Sequence, residues 1–246
     1  MILWAVMIAA LAWGSFLNVL ARRLLNNTSL LTPSHCSHCK HTLEWYHLVP
    51  VISWLLLRGH CATCNKSISW LYPLGEILAA TSFTLLFWRF PIYTALAYSL
   101  FVSALLITIQ TDLQELIIIR PFSLGLIPTG LAMSLVYLIP LSFTSSVLGA
   151  LVGYLILWFT GTGYKMIRKQ DGLGDGDMEL LAGIGAWTGW FGVWFCLTAA
   201  SLMGVLVGPL FILKRQSPKI PFGPFLAIAA FLYIMLQDYL KTFLCL

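Results

Sequence analysis

Two groups of residues in this 246-residue chain have types and spacings that can do chemistry: four cysteines in two close pairs, and a few of the nine acids. Cys36-Ser37-His38-Cys39 and Cys61-Ala62-Thr63-Cys64 are Cys-x-x-Cys turns with 21 residues between them. Each turn offers two thiolates, and four thiolates close a tetrahedral structural zinc site. A pair of disulfides is the alternative, disfavoured in a reducing compartment. His35, His38, His41, His47 and His60 crowd the same segment, but four sulfurs already complete the site. A catalytic zinc would keep an open position and commonly use a His-Glu-x-x-His helix, which the sequence lacks. Cys196 and Cys245 lie alone in apolar sequence and read as small hydrophobes.

The acids matter because the rest of the chain is so apolar. It is 59% hydrophobic and 9% charged, where soluble domains are roughly half and a quarter. Apolar runs of about 20 residues recur from end to end, the length that crosses a bilayer. Eight spans are expected: 2–20, 71–88, 92–109, 122–138, 146–164, 178–190, 193–213 and 222–240. The fold class predicted is an all-α polytopic membrane protein of about eight transmembrane helices. A small cytosolic four-cysteine module sits between helices one and two. The domains are then residues 1–20, a first helix retained because its charge follows the apolar stretch; 21–70, the zinc module; and 71–246, the membrane core. The run 48–57 is too short to cross and reads as interfacial. No internal repeat is evident.

The net charge of +5 comes from basic residues in small scattered groups, which argues against nucleic acid. They serve better as topology markers. With the Cys-rich loop in the cytosol, every lysine and arginine except Arg89 and Lys241 falls on the cytosolic side, as the positive-inside rule requires.

In that topology Asp112, at the end of the third span, and Asp177, at the start of the sixth, reach the same cytosolic membrane level. Ionisable groups beside a span are costly and usually functional. Two aspartates sharing a proton can hydrolyse a peptide, one activating water while the other protonates the substrate. A proton or ion relay uses the same placement, so a transporter with a zinc-module docking site is the competing reading. Asp177 closes Gly172-Leu173-Gly174-Asp175-Gly176-Asp177, whose glycines allow positive φ and close approach of a bound peptide. Glu76, inside the second span, is a third acid at that level, suited to binding a cationic group, to pairing with arginine or to capping. Ser15 and Asn18 share a face of the first span, where helix-to-helix hydrogen bonding or catalysis explains them.

Several motifs occur in order: Gly14-Ser15-Phe16-Leu17-Asn18-Val19, the four cysteines with Trp45-Tyr46 and Pro50 to Leu55, and Tyr72-Pro73-Leu74-Gly75-Glu76. Then follow Thr111-Asp112-Leu113, Gly172 to Asp177 with Glu179-Leu180-Leu181-Ala182, and Pro221-Phe222-Gly223-Pro224-Phe225. Together they resemble the bacterial type IV prepilin peptidases, membrane aspartyl proteases of the Gly-x-Gly-Asp type that also act as N-methyltransferases. The resemblance implies catalytic roles for Asp112 and Asp177. Asp175 also fits Gly-x-Gly-Asp, but the longer pattern selects Asp177. Cleavage of prepilins and pseudopilins after a basic leader is implied, in a bacterial inner membrane with the site facing the cytosol. In many relatives methylation of the new amino terminus with S-adenosylmethionine follows, and Glu76 is the candidate for that cofactor. Gly174, Gly176, Glu115 and Glu179 are candidates for substrate binding, with Asp171 and Asp175 adding negative charge for the leader. Two departures stand out: Pro121 lies further from Asp112 than is usual, and Glu179 stands where relatives carry lysine.

Overall fold

The structure, a computed structural model, describes residues 1–170, 172–215 and 220–243. Among these the regular structure is helical: α1 (Ile2–Leu25), a 3-10 turn (Trp45–Leu48), the short α2 (Ile52–Leu56), α3 (Leu71–Arg89), α4 (Ile92–Glu115), α5 (Arg120–Leu135), α6 (Phe143–Arg168), α7 (Asp175–Arg215) and α8 (Gly223–Phe243). Six of these helices are long and apolar enough to cross a membrane: α1, α3, α4, α6, α7 and α8. In lipid a helix satisfies every backbone group within itself, so apolar runs of this length settle as helices. Asp171, Lys219 and Cys245, all used in reading the sequence, lie outside the described residues.

The chain forms two compact units, Met1–Phe90 and Pro91–Leu246. In the first, α1 packs on α3 through small residues. A methyl group added at Gly14 would meet Ala79 Cβ at 2.7 Å and the Glu76 backbone at 3.0 Å, the close approach that membrane helices use in place of a hydrophobic drive. Asn18 Nδ2 donates to the Tyr72 carbonyl at 2.9 Å across the same contact.

In the second unit α4 is the most buried of the candidate spans and packs on α5 and α8, while α7 packs on α5, α6 and α8. Trp187 anchors the centre. Its ring stacks on Phe101 with centroids 5.0 Å apart, and its Nε1 donates to the Leu126 carbonyl at 2.9 Å.

The expected sixth and seventh spans belong to the single element α7, broken at Gly189, where φ is 75° and ψ 175°. The break is a reversal. A methyl group on Gly185 would lie 2.8 Å from Val193 Cγ2, whereas eight residues of straight helix separate Cα atoms by about 12 Å. Only glycine adopts that φ without strain. The apparent shortness of the sixth span is therefore the short arm of a helical hairpin, seated against α6 where Gly149 faces Gly185 and Gly189.

That seat is tight enough to predict its behaviour. A methyl group on Gly185 would meet the Gly149 carbonyl oxygen at 2.1 Å, while one on Gly163 of α6 meets nothing within 4 Å. Gly185→Ala should lower the thermal unfolding temperature in detergent by several degrees. Gly163→Ala should leave it unchanged or raise it, through a helix propensity gain of up to about 1 kcal/mol. Equal melting of the two variants would contradict the packing.

Candidate active site and metal cluster

The two predicted aspartates meet in the second unit. α4 continues past the expected end of its span to Glu115, so Asp112 sits inside the last turns of a helix and is 5% exposed. Leu116 closes the helix in a left-handed conformation, φ 56°, and residues 117–119 run irregularly into α5. α7 begins at Asp175, which places Asp177 in its first turn, where the helix dipole favours an anion. The Asp177 N–H donates to the Gly174 carbonyl at 3.1 Å.

Ile118 and the glycines bring these segments together. A side chain on Gly176 would collide with Ile118 Cβ at 2.8 Å. One on Gly223, the first residue of α8, would meet Asp112 Oδ2 at 2.9 Å and Ile118 Cδ1 at 3.4 Å. The Gly223 N–H donates to Asp112 Oδ2 at 2.9 Å. Asp112 is also close enough to Asp177 for their charges to repel.

The reason for glycine at 174 and 176 differs from the expected one. Among the described residues only Gly59 and Gly189 are glycines with positive φ. Gly174 and Gly176 lack side chains for want of room, the first because a methyl group would stand 3.3 Å from Asp177 Oδ2. Asp175, the alternative aspartate, is exposed and lines a cavity of about 300 Å³ with Arg120, Tyr154, Trp158, Lys165 and Glu179.

The remaining acids divide by their partners. Glu115 is exposed. Glu179 is 5% exposed and is held by Arg120, whose Nε and Nη2 donate to Oε1 at 2.9 and 2.5 Å, and by Ser123 Oγ, which donates to Oε2 at 3.2 Å. Its charge is spent on Arg120 and is not a free lure for a basic peptide.

In the first unit Glu76 is 7% exposed and accepts the Val51 N–H at 2.7 Å, with Ser15 and Asn18 near the same carboxylate. Val51 is strained. Its φ of 61° and ψ of −50°, with the Ile52 N–H donating to the Pro50 carbonyl at 2.6 Å, make a γ-turn of the rare positive-φ kind centred on a β-branched residue. Glu76 thus fastens a turn through one of its carboxylate oxygens.

Cys36, Cys39, Cys61 and Cys64 converge, with all four sulfurs within 4.8 Å of one another and Cys36 and Cys64 3.9 Å apart. A tetrahedral ion with bonds of about 2.3 Å holds its sulfurs roughly 3.8 Å apart, so the cluster fits a metal ion. All four are free thiols. The Cys64 and Thr63 N–H groups pull the Cys61 thiol down to about 6, and those of Cys39 and His38 lower Cys36. Cys39 goes the other way, to about 11, because desolvation and three neighbouring sulfurs outweigh the lowering by the His41 N–H.

The two turns are copies of each other. His35 bridges Thr42 as His60 bridges Ser67, and Lys40 and Asn65 occupy matching left-handed positions at φ 59° and 55°. The sequence carries this repeat as His-Cys-x-x-Cys-Lys-His-Thr and His-Cys-x-x-Cys-Asn-Lys-Ser, a duplication too short and degenerate to notice without the backbone.

Residues 8–90 match the family model of the bacterial peptidase A24 N-terminal domain, and residues 99–209 match that of the type IV leader peptidase family. A prepilin leader peptidase/N-methyltransferase of Aeromonas hydrophila is 35% identical over 226 residues, 88% of this chain and 78% of that protein. The chain belongs to the type IV leader peptidase family. It is a multi-pass membrane peptidase, and the transporter reading is set aside. Proteins of the same description from Pseudomonas putida, 34% identical over 217 residues (85% of this chain, 73% of that one), and Dichelobacter nodosus, 35% over 206 residues (83% and 71%), are also similar. No solved structure matches the chain.

The Glu76 contact yields a measurable consequence. Glu76→Ala leaves the Val51 N–H without its buried acceptor, at a cost of about 1–3 kcal/mol. Hydrogen exchange in detergent should then lose protection at the Val51 amide. Unchanged protection there would show that the turn is held otherwise.

Proposed function

We propose that this peptidase cleaves the basic leader from type IV prepilins and pseudopilins at the cytosolic face of a bacterial inner membrane, with Asp112 and Asp177 as the catalytic pair. The observation that carries the proposal is the convergence of these carboxylates around Ile118, with Asp175 turned to a separate cavity. The name shared by the relatives supplies the substrate class.

The pair shares one proton and titrates as a unit. The ionised member takes a proton from water as its oxygen attacks the scissile carbonyl carbon, and the protonated member gives its proton to the carbonyl oxygen. When the tetrahedral intermediate collapses, the C–N bond breaks and the leaving nitrogen takes up the proton first drawn from water. The carbonyl re-forms as its hydroxyl proton returns to the dyad. The Gly223 N–H on Asp112 Oδ2 fixes one carboxylate in the orientation this exchange needs.

The spans number eight in this reading, counting α5 and each arm of α7. Residues 21–70 form a cytosolic module in which Cys36, Cys39, Cys61 and Cys64 hold a structural zinc ion, tying the two turns together. Gly174, whose open side meets only the Asp177 carboxylate, and Gly176, which brings the backbone against Ile118, set the substrate backbone beside Asp177. With Glu179 engaged by Arg120, the leader is attracted by Glu115 and Asp175 instead. The second activity named for the relatives, N-methylation, is proposed for this chain too, with S-adenosylmethionine as its methyl donor and Glu76 as the candidate residue for that cofactor.

Incubating the detergent-purified chain with a prepilin bearing its leader tests the assignment. Asp112→Ala and Asp177→Ala should each abolish cleavage, and Asp175→Ala should retain it. Cleavage by Asp112→Ala would overturn the dyad. About one zinc ion per chain should be found in these variants and be lost in Cys36→Ser. Neutralising Glu115 and Asp175 together should raise KM several-fold with kcat nearly unchanged, as an electrostatic attraction to a charged partner requires.

A further inference from the structure

Two residues beyond each side of the dyad region, the chain places an ion pair whose carboxylate is buried. Glu179 follows Asp177 by two positions on α7, and Arg120 follows Ile118 by two positions at the first residue of α5. We infer that Arg120 and Glu179 are a positioning pair that holds Ile118 between Asp112 and Asp177. The inference rests on the reading of those aspartates as the catalytic pair.

The burial is unequal: the Glu179 side chain is 6% exposed and that of Arg120 70%. A carboxylate that deep needs a charged partner, and removing the partner leaves an uncompensated buried charge. Both its oxygens are engaged, Oε1 by two Arg120 nitrogens and Oε2 by Ser123, so its direction is fixed. Helix stability does not explain Arg120. A cation in the first turn opposes the helix dipole, which leaves its bonds to Glu179 as the interaction it serves.

What the pair holds is the irregular connection 116–119. This segment leaves α4 at a left-handed Leu116 and carries Ile118 against Gly176 and Gly223, the second of which hydrogen-bonds Asp112. A displacement of Ile118 therefore reaches both aspartates at once. The ion pair fixes the far end of the connection to the helix that bears Asp177.

A charge swap tests this on the full chain in detergent with a prepilin substrate, reading kcat, KM and melting temperature for R120E, E179R, R120E/E179R and Ser123→Ala. Each charge variant should lose roughly 10- to 100-fold in kcat, the scale of a misplacement of about 1 Å at the chemistry, with KM within about 2-fold. The double swap should recover most of the loss, since the two sites are coupled. Ser123→Ala, which keeps the ion pair, should lose less than either. Wild-type kcat in the single variants would overturn the inference, as would a rise in KM alone, which would place Glu179 on the leader. A double swap that regains melting temperature without kcat would reduce the pair to a structural one. Should the reversals fail to fold, Glu179→Gln keeps the Ser123 hydrogen bond, and a folded Gln variant at full kcat overturns the inference equally. Cleavage by Asp112→Ala would sink the dyad itself, whereas inactive aspartate variants beside a fully active R120E would sink only the positioning role.

Discussion

A carboxylate placed among apolar helices has only its own protein to solvate it, and that requirement shapes both units of the chain. Three buried carboxylates are met by three kinds of donor. Glu76 takes a backbone N–H from a strained turn, Glu179 takes a guanidinium and a hydroxyl, and Asp112 takes the N–H at the start of α8. In each case the donor comes from a segment remote in sequence. Satisfying the acid therefore also fixes tertiary structure.

Asp112 and Asp177 differ from the others in what surrounds them. Glu179 has protein donors on both oxygens, and Glu76 has the Val51 N–H on one. The region of Asp112 and Asp177 presents glycines at 174, 176 and 223, each with one of these carboxylates or Ile118 within contact of where its side chain would begin. Leaving out side chains there keeps backbone close to carboxylate while adding no competing polar group. A peptide that hydrogen-bonds in extended form could approach such a surface, and the apolar Ile118 flank limits the water beside it.

Much of this was legible in the sequence, and what was not has a physical cause. Span positions followed from run length because lipid allows few alternatives to a helix, and the convergence of Asp112 and Asp177 followed from alternation of charge. The four cysteines declared themselves by spacing. The break between the expected spans 178–190 and 193–213 falls at Gly189; what composition does not mark is its form, a single residue at φ 75°. The pairing of Glu179 with Arg120 was not legible because the partner lies 59 positions away, and no local pattern announces a pairing at that distance. Likewise the strain at Val51 is a property of one backbone torsion, in a residue type that sequence rules assign to extended structure.

These contacts share a direction. Each ties a residue at or near the candidate site to another part of the fold: Glu179 to Arg120, Glu76 to Val51, Gly176 to the bulk of Ile118. In a water-soluble enzyme such polar groups could be left to solvent at little cost. Within a bilayer an unused carboxylate is expensive, so a chain with only nine acids keeps those it buries for structure or for chemistry. Asp112 is among them, with the Gly223 N–H donating to its Oδ2 from a helix more than a hundred positions away.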